Sequence, residues 1–442
     1  MNNTHNGNNR HHIVVVGGGA GGLELAARLG DRLGRKGRAD VTLIDAYLEH
    51  IWKPLLHEVA AGTLDSHEDD VEFLAQARWH HFRFRLGPMD GLDRARREVR
   101  LAPIAMEEMG EVVPRRSFRY DTLVIAVGSV SNDFGIEGVR EHCIFLDNHS
   151  QADRFHRMFL RHYLRAQTQA EPPQENQLNI GIVGGGATGV ELAAELHRAG
   201  RQLVRYGLDR IRPERDMRIF VVEAADRILP TLPKRIAQRT QSELSRLGVE
   251  TYTGEQVIRA TAQGLYTSSG RFIPCRMKVW AAGIKAPDFL RNLDGLETNR
   301  LNQLAVRPTL QTTRDENIFA IGDCAHCHLP GNKHPVPPRA QAAHQQAALL
   351  VKNIERRLHG KPLRAYVYRD HGSLISLGEY TTVGSLMGNL TGSVTVEGWF
   401  ARMVYRSLYR MHQRAVYGVL RTALIMLKDW TQRRTGPRMK LH

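Results

Sequence analysis

Two glycine-rich hexads carry the clearest chemistry in the sequence. Gly17-Gly18-Gly19-Ala20-Gly21-Gly22 follows the β-branched run 12–16, and Gly184-Gly185-Gly186-Ala187-Thr188-Gly189 follows the run 178–183. Each is a G-x-G-x-x-G. Its first glycine permits a tight turn, its second lets the backbone approach a pyrophosphate, and its third lets helix and strand pack closely. The helix N-terminus behind each loop offers free N–H groups and a positive dipole end to that pyrophosphate. An acid closes the following strand, Asp45 in the first copy and Glu223 in the second, where a carboxylate can accept hydrogen bonds from a ribose. A glycine motif alone is as well explained by a flexible turn. With strand, helix and acid all in place, each copy reads as a dinucleotide site. Glu223 also repels a 2′-phosphate and favours NADH over NADPH, with Arg227 close by as an opposing charge.

Paired elements must position these residues. In the first copy, 20–33 has helical apolar spacing, 41–45 reads as a buried strand, and 120–128 (YDTLVIAVG) is a strand ending in glycine. In the second, 190–199 is a helix, 218–223 (RIFVVE) a strand, and 278–283 (KVWAAG) a strand ending in glycine. One further buried strand, 317–322, precedes Asp323. The interval before Glu223 exceeds the usual ~20 residues, and the excess, the basic stretch 198–215, reads as an insertion between helix and strand. The repetition predicts an α/β protein with two Rossmann-like dinucleotide-binding domains of one ancestry. Residues 1–11 form a polar tail, 12–150 the first part of one domain, and 178–297 the second domain. Residues 298–350 return to the first domain, and 351–442 form a C-terminal region. Neither motif adjoins a CxxxxC redox pair, which points to one dinucleotide held as a flavin and the other passing through as a nicotinamide.

Over essentially its whole length the sequence resembles the type II NADH:quinone oxidoreductases, among the two-dinucleotide-binding-domain flavoproteins. The resemblance implies non-covalent FAD on the first motif (Gly17, Gly19, Gly22, Asp45) and NADH as substrate on the second (Gly184, Gly186, Gly189, Glu223). It implies that Asp323 of the Gly322-Asp323 pair lies on the flavin ribityl chain; a helix N-cap is the plainer role, and both can coexist. The family's Thr-Gly element appears as Ala126-Val127-Gly128, with valine in the hydroxyl position. Ala281-Ala282-Gly283 is similar to the nicotinamide-side loop. Glu191 matches the family's Gly-Val-Glu, although a carboxylate in a first helical turn is also ordinary dipole pairing.

For the electron acceptor, the resemblance points to AQxAxQ within 338–345, where Gln341 and Gln345, four residues apart, share one helical face. Their amides can hydrogen-bond a quinone carbonyl without adding charge; taken alone, they describe a solvated helix face. In Lys53-Pro54-Leu55-Leu56-His57-Glu58, His57 and Glu58 could relay protons to reduced quinone, or be a solvated histidine beside a helix-start acid. Cys324-Ala325-His326-Cys327 suggests half a zinc site. Cys143 and Cys275 stand apart from it, so structural thiols are expected and no metal.

The net charge is +15 with a pI of about 9.9, which suits an anionic partner. From Trp399 to His442 ten Arg or Lys residues face a single acid, Asp429. Arg402, Arg406, Arg410 and Arg414 form one stripe, with Phe400, Met403, Val404, Leu408 and Met411 opposite, and 417–427 is a second apolar segment interrupted by Arg421. This predicts C-terminal amphipathic helices lying on an anionic lipid bilayer surface; helices that pack a core or make a homodimer are the alternative. No apolar stretch approaches the ~18 to 20 residues of a membrane span, and the opening MNNTHNGNNRHH lacks the apolar core of a secretory signal. The expected location is therefore the cytoplasmic face of the inner membrane, with membrane quinone as partner. Two rivals remain. A sulfide:quinone oxidoreductase would need a redox cysteine pair and lack a working nicotinamide site. A nucleic-acid-binding flavoprotein would use the basic tail on phosphates, but apolar residues at helical spacing favour a membrane, so no nucleic acid is expected.

Overall fold

Along the chain run β1 (His11–Val16), α1 (Ala20–Leu29), β2 (Ala39–Asp45), α2 (Leu56–Ala61), β3 (Arg83–Leu86) and β4 (Thr122–Ile125). There follow β5 (Ile144–Phe145), α3 (His149–Thr168), β6 (Ile180–Val183), α4 (Ala187–Arg205), β7 (Ile219–Glu223), β8 (Glu250–Thr253) and β9 (Met277–Trp280). Last come β10 (Ile318–Ala320), α5 (Ala340–Leu358) and the antiparallel strands β11 (Gly372–Ser376), β12 (Thr382–Gly388) and β13 (Gly392–Glu397). The computed structural model describes residues 10–50, 52–64, 71–106, 110–169, 176–376, 382–388, 392–397, 413–414, 417–418 and 420–428. The chain divides into unit 1, made of Met1–His50, Asp70–Val130 and Lys285–Arg369, and unit 2, made of Ile51–Asp69, Ser131–Ile284 and Asp370–His442.

Unit 1 is built on a parallel sheet of order β10-β4-β1-β2-β3. Val15 sits opposite Val124 on one side and Leu43 on the other. Strands of this kind are covered on both faces, which is why they read as unbroken apolar runs rather than alternating ones. Ile13, Val15, Leu123, Val124, Ile125, Phe319 and Ala320 are all fully buried. Unit 2 repeats the plan as β5-β9-β6-β7-β8, with Ile182 between Val279 and Val221. The crossover also repeats. A three-stranded antiparallel sheet over residues 89–119 leads from β3 to β4, and another over 257–274 leads from β8 to β9.

In both sheets the strand order reverses beside the central strand, at β1/β4 and at β6/β9. The carboxyl ends of strands at such a switch point form the ligand crevice of an open α/β sheet. The glycine loops stand there. Gly17 and Gly184 have φ of +100° and +110°, a region disfavoured for residues with a side chain.

Two expectations need adjustment. Helix α4 runs to Arg205, beyond the expected end at Ala199, so the basic stretch 198–215 starts as helix and is only partly an inserted loop. Unit 1 reaches Arg369 rather than residue 350, because α5 packs against α1, and the region after it opens with the three-stranded sheet. Segment 51–64, with α2, belongs to unit 2. Leu56, Val59, Ala60 and Ala61 share a core cluster with Phe155, Phe159 and Tyr163 of α3 and Leu192 and Leu196 of α4.

Each loop's glycines have separable duties. A Cβ on Gly22 would lie 1.8 Å from the Gly17 carbonyl oxygen, and one on Gly189 would lie 2.0 Å from that of Gly184. A Cβ on Gly19 meets nothing nearer than Ala126 O at 4.0 Å, and on Gly186 nothing within 4 Å. We predict that Gly22→Ala and Gly189→Ala each cost more than about 2 kcal/mol in urea unfolding, through overpacking. Gly19→Ala and Gly186→Ala should stay within about 1 kcal/mol of the parent, because alanine adopts their backbone freely. Equal costs for all four would defeat this division of labour.

Candidate functional site

In unit 1 the second strand ends on Asp45, whose Oδ2 accepts from Gly18 N at 2.6 Å and Oδ1 from Tyr47 N at 2.9 Å. In unit 2, Glu223 Oε2 accepts from Gly185 N at 2.7 Å and Oε1 from Ala225 N at 2.8 Å. The two carboxylates therefore hold the middle glycine of their loops in the same way. Gly19 and Gly186 are the N-caps of α1 and α4, with nearly identical extended ψ of −173°. Neither helix has a side-chain cap or an acid in its first turn. First-turn N–H groups without an internal partner, beside open space at Gly19 and Gly186, fit the pyrophosphate of a dinucleotide.

Around the unit 1 loop, Gly128 (φ +69°) and Gly322 (φ +74°) follow strands β4 and β10. A Cβ on Gly17 would lie 2.4 Å from the Ala126 carbonyl oxygen. Val127 supplies no hydroxyl, but Ser129 does: its Oγ donates to Asp323 Oδ2 at 2.8 Å. The sequence reading missed Ser129; a hydroxyl displaced two residues along the strand end was the available signal. Gln303 Nε2 donates to the Asp323 carbonyl at 2.8 Å. In unit 2, Gly283 (φ +66°) lies under Phe134, whose ring would be 2.4 Å from an added Cβ. Its carbonyl accepts from Asn132 N.

Helix α5 carries the expected acceptor-side residues. Gln345 Nε2 donates to Arg369 O at 2.7 Å while its Oε1 accepts from Arg369 N at 3.0 Å, and Gln341 Nε2 donates to the same carbonyl at 3.2 Å. The two glutamines do share one face, and in this structure both amides clasp the backbone of the segment that follows the helix. Gln346, which sequence reading passed over, is 2% exposed and accepts from Gly322 N at 2.7 Å. The same helix is tied to α1: Glu24, 5% exposed, is bonded to His344 Nδ1 and accepts from Arg28 Nη1 at 2.7 Å. Gly21 sits against Ala343, 3.1 Å from its carbonyl to an added Cβ.

His57 and Glu58 differ in burial. Glu58 lies in the first turn of α2, half-buried. His57 points inward, with Nδ1 3.8 Å from Glu191 Oε2 on α4, and both side chains are buried. Burial, opposed by a hydrogen bond to Pro54, lowers the imidazole to about 4, so it is neutral at pH 7. The structure thus joins His57 to Glu191, two residues that the sequence offered separately.

All four cysteines are free and buried. Burial pushes the thiols of Cys143 and Cys324 up to about 12 and those of Cys275 and Cys327 up to about 11. The Cys324 thiol donates to the Ile321 and Ile125 carbonyls. No group of three His, Cys, Asp or Glu suited to a metal ion occurs among the described residues.

Two parallel sheets, each with a glycine loop and a strand-end carboxylate at its switch point, define a two-dinucleotide oxidoreductase. The sequence profile of the pyridine nucleotide-disulphide oxidoreductases matches residues 11–347, and the chain belongs to that family. Within it, the chain belongs to the type II NADH:quinone oxidoreductases. It is 44% identical to the enzyme of that name from Haemophilus influenzae, over 96% of this chain and 98% of that one. The Staphylococcus aureus enzyme of the same name is 28% identical over 83% of this chain and 87% of its own. Among solved structures, NDH2 from Plasmodium falciparum in complex with NADH matches in fold with a TM-score of 0.82. That match has 18% identity and covers 97% of this chain and 99% of that one. The sulfide:quinone oxidoreductase of Aquifex aeolicus matches at 0.72 with 17% identity over 92% of each chain.

The buried imidazole sets an acid limit. An unfolded histidine titrates near 6.5 and this one near 4, so between those values the unfolded chain takes up the extra proton. Stability contributed by His57 above pH 6.5 is lost as pH falls toward 4, by up to about 3 kcal/mol. His57→Gln should remove that slope from urea midpoints measured between pH 7 and 4. An unchanged slope would mean that His57 is protonated in the folded protein.

Proposed function

We propose that the protein is a membrane-surface enzyme that oxidises NADH and reduces a quinone, holding FAD in unit 1 and receiving NADH in unit 2. Bound FAD supplies the redox chemistry, accepting a hydride from NADH and passing two electrons to quinone. The observation that carries the reading is the duplicated cradle, Asp45–Gly18 and Glu223–Gly185, in a chain 44% identical to a type II NADH:quinone oxidoreductase over nearly its full length.

The chain's own residues bind and orient. Gly17, Gly19 and Gly22 shape the FAD pyrophosphate loop, and Asp45 fixes it and faces the ribose. Asp323, held by Ser129, stands at the ribityl end between Gly128 and Gly322. Gly184, Gly186, Gly189 and Glu223 do the corresponding work for NADH, with Glu191 and Gly283 on the nicotinamide side. Gln341 and Gln345 present amides toward the acceptor, and a quinone carbonyl would compete there with the Arg369 carbonyl. His57, neutral at pH 7, and half-buried Glu58 would relay protons toward the reduced quinone.

One feature supports attachment to a lipid bilayer. In the helical residues 420–428, Leu420 (81% exposed), Leu424 and Leu427 recur on one face in solvent, while Thr422 is buried. Arg421 and Lys428 are exposed as well, and leucines in solvent beside basic residues suit the acyl boundary of a lipid surface. No helix among the described residues is long and apolar enough to cross a membrane. The arginine stripe 402–414 lies mostly outside the described residues; Arg414 is exposed. The sulfide:quinone alternative requires reactive thiols, and four buried thiols raised to between 11 and 12 oppose it, since the thiolate is the reactive form.

Two outcomes test the assignment. Glu223→Gln should raise the Michaelis constant for NADH about tenfold and narrow the gap to NADPH, as expected for loss of a charged hydrogen bond. Unchanged constants would hand ribose recognition to another residue. Alanine at Gln341 or Gln345 should leave anaerobic flavin bleaching by NADH intact and slow reoxidation by quinone about tenfold. Slowed bleaching would move α5 to the nicotinamide side.

A further inference from the structure

The function described so far leaves two basic elements of unit 2 unused. On α3 the residues Arg154, Arg157, Arg161 and Arg165 are all exposed, and they fall within one narrow face at offsets of three and four. The stripe is about 16 Å long at the helical rise. The opposite face, Ala152, Phe155, Phe159, Tyr163 and Ala166, is buried in the core. None of the four guanidiniums makes an ion pair among the described residues; the acid on this helix, Asp153, is engaged by His149 at 3.5 Å.

The basic stretch 198–215 closes onto the same helix. Tyr163 Oη donates to the Gly200 carbonyl at 3.2 Å, Arg210 N to Gln167 Oε1 at 3.0 Å, and Arg210 Nη1 to the Gln169 carbonyl. Exposed Arg205 and Arg212 thereby belong to the surface that the end of α3 forms. Two apolar side chains lie among these charges: Leu164 beside Arg165 is 46% exposed, and Tyr206 beside Arg205 is 42% exposed.

Fold stability gives no reason for this arrangement. Arg157/Arg161 and Arg161/Arg165 are like charges at i,i+4, a spacing that destabilises a helix, and the chain has not interleaved acids to relieve it. A row of uncompensated guanidiniums with a leucine and a tyrosine between them matches phosphate headgroups above an acyl boundary. We propose that α3 and the 198–215 stretch form a second lipid-binding face, which holds the protein on anionic bilayers through phosphate headgroups independently of its C-terminal helices. The proposal rests on the membrane-surface reading and extends it to α3 and to the 198–215 stretch, which sequence patterning read only as an insertion. A nucleic-acid duplex would use the charges but leave Leu164 and Tyr206 unexplained.

The test uses full-length protein loaded with FAD, in flotation with phosphatidylcholine vesicles with and without phosphatidylglycerol. The variant R154Q/R157Q/R161Q/R165Q should lose at least about tenfold in partition onto phosphatidylglycerol-containing vesicles, since each basic residue near such a surface adds to binding. Its binding to phosphatidylcholine alone and its oxidation of NADH by a water-soluble quinone should not change. The same four positions changed to lysine should retain binding, which separates charge from folding. If the parent floats and the glutamine variant floats equally, this face is a solvated one and the proposal falls while the membrane reading stands. If the parent binds neither vesicle, the membrane reading itself fails, and this proposal with it. Loss of duplex DNA binding with vesicle binding intact would overturn the proposal in favour of a nucleic-acid partner.

Discussion

A single carboxylate hydrogen-bonded to the backbone N–H of the loop's middle glycine sets the geometry of each half of the molecule. Asp45 does this for Gly18 and Glu223 for Gly185, and in each case the second carboxylate oxygen accepts from a backbone N–H two residues after the acid. The contact fixes the loop relative to the neighbouring strand, so the helix that follows must begin at one place and point one way. Its first N–H groups are then aimed outward at the end of the sheet. Because the acid already spends both oxygens on the protein, any ribose it engages meets a carboxylate that cannot swing aside. This is preorganisation: the cost of positioning the charge is met in folding rather than on binding.

Close packing transmits that placement. The third glycine of each loop brings helix and strand so near that a methyl group would overlap a carbonyl oxygen. In unit 1 the same helix is then gripped from its other side. Gly21 seats against Ala343, and Glu24 binds His344, so α5 is registered on α1 by both a steric contact and a polar one. Gln346 completes the connection by accepting from Gly322 N, which binds α5 to the strand end that carries Asp323. The Gly17–Gly22 loop, Asp323 and the two amides of Gln341 and Gln345 are thus linked through one set of contacts within unit 1.

What could be read from sequence follows from how local each signal is. The glycine loops, the strand-end acids and the buried parallel strands are short-range patterns tied to backbone geometry, and they stand at the predicted positions. Contacts that join distant segments had no such signal. Ser129 reaches Asp323 across 194 residues, and Gln346 was hidden behind the more regular Gln341/Gln345 pair. The clasp on Arg369 could not be foreseen, because nothing in AQxAxQ says which backbone will compete for the amides. His57 is the instructive case. Beside Glu58 in the sequence it suggests a surface relay, yet α2 turns it into the unit 2 core against Glu191, where burial keeps it neutral. Adjacent residues on a short helix point about 100° apart, so proximity along the chain was a poor guide to partnership.

A water-soluble helix buries leucine and exposes threonine, because apolar surface removed from water is what stabilises its docking. Residues 420–428 do the opposite, leaving three leucines at helical spacing and Met426 in solvent while Thr422 is covered. Exposure of that much contiguous apolar surface on one short helix would favour aggregation unless another apolar phase receives it. A bilayer meets the requirement without a dedicated protein partner, and it is also the phase in which a lipid-soluble quinone is dissolved. On the proposed bilayer, the exposed leucines of this helix would answer to apolar burial and the arginine-rich face of α3 to headgroup charge. Salt screens only the second, so a protein holding both would keep its surface attachment as ionic strength varies.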